Sequence, residues 1–169
     1  MKINLKNVRS IGIVMMLLLV SAFGLGCIGG DSGKAQAGPV KATWITADVN
    51  GDVVSIPVAD VNDNTNVHFK VNTNTELGEI AVMAFVLGDE IVIRSNVCPP
   101  CRSIGFTLDD AVLVCDSCGT TFDAETGNGI QGACVAYPKE SIPYTESGGI
   151  IVMDINDVIT AHQNTVIKG

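Results

Sequence analysis

The spacing of five cysteines constrains this chain more than any other feature. Two C-x-x-C pairs, Cys98 with Cys101 and Cys115 with Cys118, are separated by thirteen residues, and a single Cys134 follows. Two cysteines on one tight turn can face the same ion, so two such turns place four thiolates at the corners of a tetrahedron. Zinc and iron–sulfur centres both take this ligand set. The sequence therefore predicts that loops converge on one metal centre.

The first 27 residues have the layout of an export signal. Lys2, Lys6 and Arg9 precede an uncharged apolar run over residues 11–25. This run of about 15 residues is shorter than the roughly 20 that a spanning helix needs. Gly26-Cys27 resembles a lipobox, in which the cysteine is lipidated and becomes the new N-terminus. We expect a lipid anchor at Cys27; an uncleaved N-terminal anchor and simple secretion are the alternatives. Each of the three places the domain outside the cytoplasm.

Composition limits the partners that the chain after residue 27 can have. Residues 28–41 are small and rich in glycine, which predicts a flexible tether, and residues 42–169 form the predicted domain. Beyond residue 27 the chain has seven basic and eighteen acidic residues, a net charge of −11. An acidic domain without a basic patch is a poor candidate for binding nucleic acid. We therefore expect no nucleic-acid partner.

Alternative roles for the cysteines stay open at this point. The two pairs could form disulfides that link the loops, which an exported protein favours, or one pair could be a redox-active dithiol. Five cysteines besides Cys27 cannot all pair with one another. Four metal-bound thiolates with one additional thiol is the simpler account. Cys134 is then a spare thiol that packs as a small residue, or a ligand that replaces one member of a C-x-x-C pair.

Short β-strands dominate the predicted domain. Strand-like runs over residues 42–49 and 52–58 flank the turn signal Asn50-Gly51, and a second hairpin surrounds residues 87–89. A third hairpin runs from Phe106 and ends at Cys115. The pattern is typical of an all-β fold, a small sandwich or barrel whose loops carry the cysteines.

Two other segments complete the prediction. Residues 60–66 are polar and predict a loop, whereas residues 155–162, with Asp154 as N-cap, predict one short C-terminal helix. Alternation over residues 67–71 places His68 on the solvent face, while Trp44 and Phe122 are expected in the core. No nucleophile–base pair, phosphate-binding glycine loop or carboxylate pair emerges from the spacing, so we expect no enzymatic activity.

The second cysteine pair begins a longer motif. Residues 115–127 read CDSCGTTFDAETG, which resembles the second cluster-binding box of Rieske proteins, C-x-x-H-G-x-x-F-D-x-x-T-G. Cys98-Pro99 and Gly105-Phe106 resemble the first box. Cys101 and Cys118 stand where histidines bind in Rieske proteins. The resemblance implies a Rieske-like β fold in which cysteines replace the histidine ligands.

The departures from the Rieske pattern fit a related family. Over residues 55–158 the chain is similar to the FtrD-like membrane iron–sulfur proteins. The shared features are the strand VHFKV at residues 67–71, a hairpin leading into C-x-x-C, then C-x-x-C-G and Gly132-Ala133-Cys134. Members are extracytoplasmic or membrane-bound and often accompany iron-permease systems. The resemblance implies an iron–sulfur centre and a membrane redox or iron-transport partner.

These observations favour an extracytoplasmic electron-transfer protein tethered to the membrane and serving an iron-uptake or respiratory system. Its cofactor would be an iron–sulfur cluster, with 2Fe–2S favoured, held by Cys98, Cys101, Cys115 and Cys118. A structural Cys₄ zinc binding module is the first alternative. The second is a metallochaperone that delivers iron or copper to a permease, with Cys134 as an exchange ligand.

Overall fold

The computed structural model describes residues 38–167 of the chain, so the predicted leader, Cys27 and most of the predicted tether lie outside the described residues. Short strands dominate this range, as expected. In chain order the elements are β1 (Thr43–Trp44), β2 (Asp48–Asn50), β3 (Val53–Pro57), α1 (Val58–Asn64), β4 (Asn66–Asn72), β5 (Glu79–Leu87), β6 (Glu90–Ser95), β7 (Phe106–Asp109), β8 (Val112–Cys115), β9 (Thr121–Asp123), β10 (Gly129–Gln131), β11 (Thr145–Ser147), β12 (Ile150–Asp154) and α2 (Ile155–Val166).

The strands form three four-stranded sheets. The central sheet has the order β1-β4-β5-β6, the site sheet β10-β9-β8-β7 and the third sheet β11-β12-β3-β2. Strands β1 and β4 run parallel, and the other pairs within the sheets are antiparallel. Hairpins therefore account for most of the connections, as the frequent turn signals predict.

Strand β5 separates two hydrophobic cores. Val82 and Ala84 belong to the core that includes residues of the third sheet and both helices. Met83 and Phe85 point to the opposite face and pack in a second core with residues of the site sheet, Phe122 among them. Because both faces are buried, β5 is a nearly continuous apolar run without polar alternation. The site sheet is thus fixed to the rest of the domain through this strand.

Two predicted hairpins are confirmed. Strands β5 and β6 pair from Leu87 with Glu90, and β7 pairs with β8 so that Phe106 lies opposite Cys115. The hairpin at Asn50 is also present, but Asn50 pairs with Val53, so its two-residue turn begins one residue later than predicted. The β7–β8 hairpin matters for the site because it returns the chain from the first cysteine pair to the second.

The strand predicted over residues 42–49 is wrong in its extent. The segment divides into β1, which pairs with β4, and β2, which pairs with β3 in a different sheet. Upstream of it, the Val40 N–H and C=O exchange hydrogen bonds with Leu108 at 2.7 and 3.0 Å. The first residues of the domain therefore connect all three sheets.

The loop predicted over residues 60–66 is also wrong, because most of it is helix α1. Asparagine and aspartate are poor helix formers, which is why the composition indicates a loop. Val58 and Val61 nevertheless lie three residues apart on one helix face, and Val61 is completely buried against the core. Tertiary packing therefore outweighs local propensity here.

The C-terminal helix begins where predicted. Asp154 accepts a hydrogen bond from the Asn156 N–H at 2.8 Å, as an N-cap does. The helix continues to Val166, four residues beyond the prediction, because Thr165 is buried and accepts a hydrogen bond from the Glu140 N–H. This contact joins the helix to the segment that follows the cysteine loops.

The predicted positions of His68 and Trp44 are both wrong. His68 is fully buried, whereas Trp44 is 47% exposed. Strand β1 pairs Trp44 with His68, and the two rings meet edge-on with centroids 5.3 Å apart. His68 lies opposite Met83 on β5, and so faces the core of the site sheet. Alternation along β4 separates its two faces, but it does not show that the face carrying His68 is covered by the site sheet.

Burial of His68 predicts a specific acid sensitivity. Removal from water lowers the pKa of His68 to about 4, and the Asp116 carboxylate opposes this only in part. The unfolded chain binds a proton near pH 6.5, so the folded state loses stability as pH falls from about 6.5 to about 4. We expect wild type to lose about 2 kcal/mol more unfolding free energy than His68→Phe between pH 7 and pH 4.5. Urea unfolding of the metal-free proteins measures this difference, and equal losses would contradict it.

Candidate metal centre

Three loops at one end of the site sheet carry the cysteines. Cys98 and Cys101 lie between β6 and β7, where the Cys98 N–H donates to the Ser103 carbonyl at 2.8 Å. Cys115 ends β8, and Cys118 follows in the turn that enters β9. In that turn Gly119 has a φ of +67° and donates to the Cys115 carbonyl at 2.9 Å. The positive φ explains the glycine that directly follows the second pair.

The structure brings the four predicted ligands together. The Sγ atoms of Cys98, Cys101, Cys115 and Cys118 all lie within 4.8 Å of one another. The Sγ atoms of Cys98 and Cys118 are 4.0 Å apart, and those of Cys101 and Cys115 are 3.7 Å apart. The thiols are not joined as disulfides. Four cysteine thiolates are the ligand set of zinc and of Cys₄ iron–sulfur clusters, so the donor chemistry suits either group.

The four cysteines form an inner and an outer pair. Cys98 and Cys115 are buried, with 0% and 1% of their surface exposed, whereas Cys101 is half-buried and Cys118 is exposed. The outer pair occupies the positions where the Rieske boxes have histidine. A centre held by all four would therefore be anchored in the core and open to solvent on the Cys101 and Cys118 side.

The pKa values of the thiols also differ between the inner cysteines and the exposed Cys118. Burial raises the pKa of the Cys98 thiol and that of the Cys115 thiol; for Cys115 the backbone N–H groups of Cys118 and Ser117 oppose the rise. Burial acts in the same direction on Cys118, but hydrogen bonds with Thr120, Cys115 and Cys101 together outweigh it and lower the pKa of Cys118 to about 6. The exposed Cys118 thiol therefore ionises more readily than the buried Cys98 thiol.

This difference predicts the order of alkylation in the metal-free protein. Only the thiolate attacks iodoacetamide, so exposure and a lowered pKa both favour Cys118 over the buried Cys98. We expect Cys118 to be modified first at pH 7, by about tenfold or more in rate. Mass spectrometry of peptides after short exposure gives the order, with urea-unfolded protein as the control in which the difference disappears. Faster modification of Cys98 would contradict the inner and outer assignment.

Cys134 lies beside the four-sulfur group without belonging to it. Its side chain is buried, and its Sγ is 3.8 Å from the Cys118 Sγ. Its backbone N–H donates to the Thr120 Oγ1 at 3.3 Å, and the Cys118 thiol contacts the same oxygen at 3.2 Å. Thr120, which the motif analysis did not single out, therefore connects the loop after β10 to the second cysteine pair.

Two buried basic residues near the centre were also missed by sequence analysis. The Lys139 Nζ donates to the carbonyls of Val97 and Tyr137 at 2.8 and 2.7 Å. Arg94 on β6 donates to the carbonyls of Ala124, Glu125 and Lys139. The one available signal was that basic residues are rare in so acidic a chain, and this signal does not say where they lie.

The Lys139 ammonium packs against the aromatic core of the site sheet. Its Nζ is 4.3 Å from the ring centroid of Phe122 and 5.5 Å from that of Phe106. Burial lowers the pKa of Lys139 to about 8, while negative charge on the surrounding cysteines, Cys98 first, acts in the opposite direction. The charge of Lys139 therefore interacts with that of the cysteine group.

Solved structures share this architecture at low sequence identity. A chain from the complex of reduced oxygenase and oxidized ferredoxin in carbazole 1,9a-dioxygenase matches with a TM-score of 0.50 and 17% identity, over 63% of this chain and 95% of that one. The ferredoxin of Sphingomonas yanoikuyae B1 matches with a TM-score of 0.45 and 23% identity, over 58% of this chain and 92% of that one. The first likeness shows the fold alone. No curated protein matches the chain.

The fold and the site together define a class: an all-β, Rieske-like domain that gathers four cysteines at one metal-binding position. The family described as "Membrane iron-sulfur containing protein FtrD-like" matches residues 61–164, which is more than half of the chain. The chain therefore belongs to the FtrD-like iron–sulfur family, as the motifs predicted. Among the helices within residues 38–167, none is long and apolar enough to span a membrane.

Proposed function

We propose that this chain is an electron-transfer protein whose iron–sulfur cluster is held by Cys98, Cys101, Cys115 and Cys118. The observation that carries the proposal is the group of four sulfurs at the edge of a Rieske-like β fold, in a chain of an iron–sulfur family. When bound, such a cluster supplies one-electron chemistry. A 2Fe–2S cluster is favoured because the two cysteine loops correspond to the two Rieske boxes.

The chain's own residues suit this role. Buried Cys98 and Cys115 fix the centre on the site sheet, and backbone N–H groups from Ser117 and Cys118 face the Cys115 sulfur. Such hydrogen bonds stabilise thiolate and tune the potential of a cluster. Exposed Cys118 leaves one side of the site open to a partner surface. Because four thiolates and no histidine hold the cluster, we expect a reduction potential below the Rieske range, at about −400 mV.

The proposal extends to location and partner. The apolar run before Cys27 and its lipobox-like context support an extracytoplasmic domain held at the membrane by a lipid, or by the uncleaved N-terminal segment. The partner is then a membrane redox or iron-transport protein, in a respiratory or iron-uptake system. We propose no enzymatic activity for the chain, since electron transfer needs the open side of the site and no substrate pocket.

One observation favours a structural zinc site as the second candidate. A metal–sulfur distance of about 2.3 Å gives edges of about 3.8 Å in a regular tetrahedron, close to the 3.7 and 4.0 Å between sulfurs here. All six Sγ separations are within 4.8 Å, so a single ion requires less movement of the loops than a cluster whose bridging sulfides hold the two ligand pairs farther apart. In that case the domain would be a zinc-stabilised binding module.

A metallochaperone for iron or copper is the remaining candidate. The observation behind it is the 3.8 Å between the sulfurs of Cys134 and Cys118, which would let one thiol replace the other at the metal. This candidate predicts rapid loss of metal to a chelator that depends on Cys134, whereas an electron carrier retains its cluster through many redox cycles.

Metal analysis of the full chain distinguishes these functions. The protein is purified without oxygen in detergent, and iron, zinc and acid-labile sulfide are measured beside the visible spectrum. We expect iron and sulfide in equal amounts and visible bands that bleach with dithionite. One zinc per chain, with no sulfide and no colour after attempted cluster reconstitution, would overturn the electron-transfer proposal in favour of the zinc module.

A further inference from the structure

Lys139 is a fully buried cation in an unusual position. Its side chain is 0% exposed, and its Nζ donates to two neutral carbonyls, those of Val97 and Tyr137. Transfer of an isolated ammonium from water into a protein interior is strongly unfavourable, so buried lysines are normally paired with an anion. Two carbonyls satisfy donors of Lys139 but do not neutralise its charge.

Among the described residues, no carboxylate lies within ion-pair distance of Lys139. Within residues 38–167 the single ion pair joins Lys70 to Glu79 at 2.7 Å, on the exposed surface. The nearest aromatic groups, Phe122 and Phe106, offer ring faces that attract a cation without cancelling its charge. Arg94 is also buried and donates to the Lys139 carbonyl, so a second cation lies nearby and increases the need for negative charge. The groups around Lys139 that can carry negative charge are the cysteine sulfurs, which become thiolates when they bind a metal.

The contacts of Lys139 place it beside the elements that carry the inner ligands. Val97, one of its two acceptors, immediately precedes the buried ligand Cys98. Tyr137, the other acceptor, lies in the loop that carries Cys134, so one ammonium ties this loop to the first cysteine loop. Phe106, beside the Nζ, lies opposite Cys115 in the β7–β8 pair. The two cysteine-bearing loops and strand β7 therefore hold the charge of Lys139 near Cys98 and Cys115.

From this geometry we infer that Lys139 is the internal counter-ion of the four-thiolate centre and a positioning residue that sets its reduction potential. The inference rests on the proposed function. Four thiolates leave an iron–sulfur centre with net negative charge in both redox states, and reduction adds one more negative charge. A fixed cation stabilises the reduced state more than the oxidised state, and it does so strongly where water is excluded. Lys139 thus raises the potential of the centre.

Variants at this position separate charge from structure. Lys139→Gln removes the charge and keeps a donor, whereas Lys139→Arg keeps the charge and changes the shape. We expect Lys139→Gln to lower the equilibrium constant for one-electron reduction by about tenfold, a midpoint about 59 mV more negative. Lys139→Arg should stay closer to wild type than Lys139→Gln. Lys70→Gln, which removes an exposed lysine, is the matched control and should leave the potential unchanged.

The measurement is an anaerobic redox titration followed by the visible spectrum, with urea unfolding of each metal-free variant alongside. If Lys139 merely supports the fold, both substitutions lower stability while the potential of Lys139→Gln equals that of wild type, and the inference is overturned. The proposed function would stand in that case, because the wild-type protein would still carry a redox-active cluster.

A wild-type protein without a cluster would instead refute the proposed function and leave the inference testable. A Cys₄ zinc site is also an anion, so the same counter-ion should strengthen zinc binding. We then expect Lys139→Gln to bind Zn²⁺ about tenfold more weakly than wild type in competition with a chelator, and Lys139→Arg to bind it more tightly than Lys139→Gln. Equal zinc affinities in all three proteins would overturn the inference.

Discussion

Cys98→Ser is expected to abolish the metal centre and to produce the largest loss of stability of any single cysteine change. Cys98 is fully buried, and its Sγ is 4.0 Å from that of Cys118 within the four-sulfur group. A serine hydroxyl is a poor ligand for a soft metal centre, so three good ligands remain. Because metal binds the folded state, its loss removes about 4 kcal/mol at a metal concentration a thousand times the dissociation constant.

Cys134→Ser is the matched control for this prediction. Cys134 is also buried and lies 3.8 Å from Cys118, but it stands outside the group of four. We expect it to keep full metal content and to lose about 1 kcal/mol from placing a hydroxyl in an apolar setting. Metal analysis and urea unfolding are measured on both variants. Loss of metal in Cys134→Ser would make Cys134 a ligand and reject the assignment of the four.

Gly127→Ala is expected to destabilise the protein by about 3 kcal/mol or more. Gly127 has a φ of +78°, and a Cβ there would overlap the Lys139 carbonyl oxygen and lie 2.7 Å from the Arg94 Nη1. The Arg94 guanidinium bonds that same carbonyl, so the clash falls on the hydrogen bonds that hold the loop behind the centre. Neither the backbone nor the guanidinium can move without leaving buried carbonyls unpaired.

The matching substitution is Gly88→Ala in the β5–β6 turn. Gly88 has a similar φ of +64°, but a Cβ there would have no atom within 4 Å. Its cost is therefore only the backbone preference of glycine, about 1 kcal/mol. Urea unfolding of the two variants separates the cost of a positive φ, which both share, from the cost of the steric clash at Gly127. Equal losses would show that Gly127 is required only for its conformation and that the packing of Arg94 against Lys139 is not tight.

Sequence and structure contribute unequally to the regular elements. The hairpins at residues 87–90 and 106–115 are predictable because a glycine or aspartate turn between apolar runs is a local signal. Helix α1 is not, since its residues favour a loop and it forms because Val61 is buried against the core. The position of His68 also required the structure: strand alternation assigns it to the polar face, and only the packing of the site sheet buries that face.

The four proposed ligands are predictable from the sequence itself. The spacing of Cys98, Cys101, Cys115 and Cys118 reflects the short reach of a turn around one metal, which makes it visible without a fold. The surroundings of the ligands were decided by tertiary structure. Lys139 and Arg94 come from loops and strands that have no spacing rule relative to the cysteines, and burial alone turns an ordinary lysine into a counter-ion. Charge near a metal depends on distance in space, which a single sequence does not encode locally.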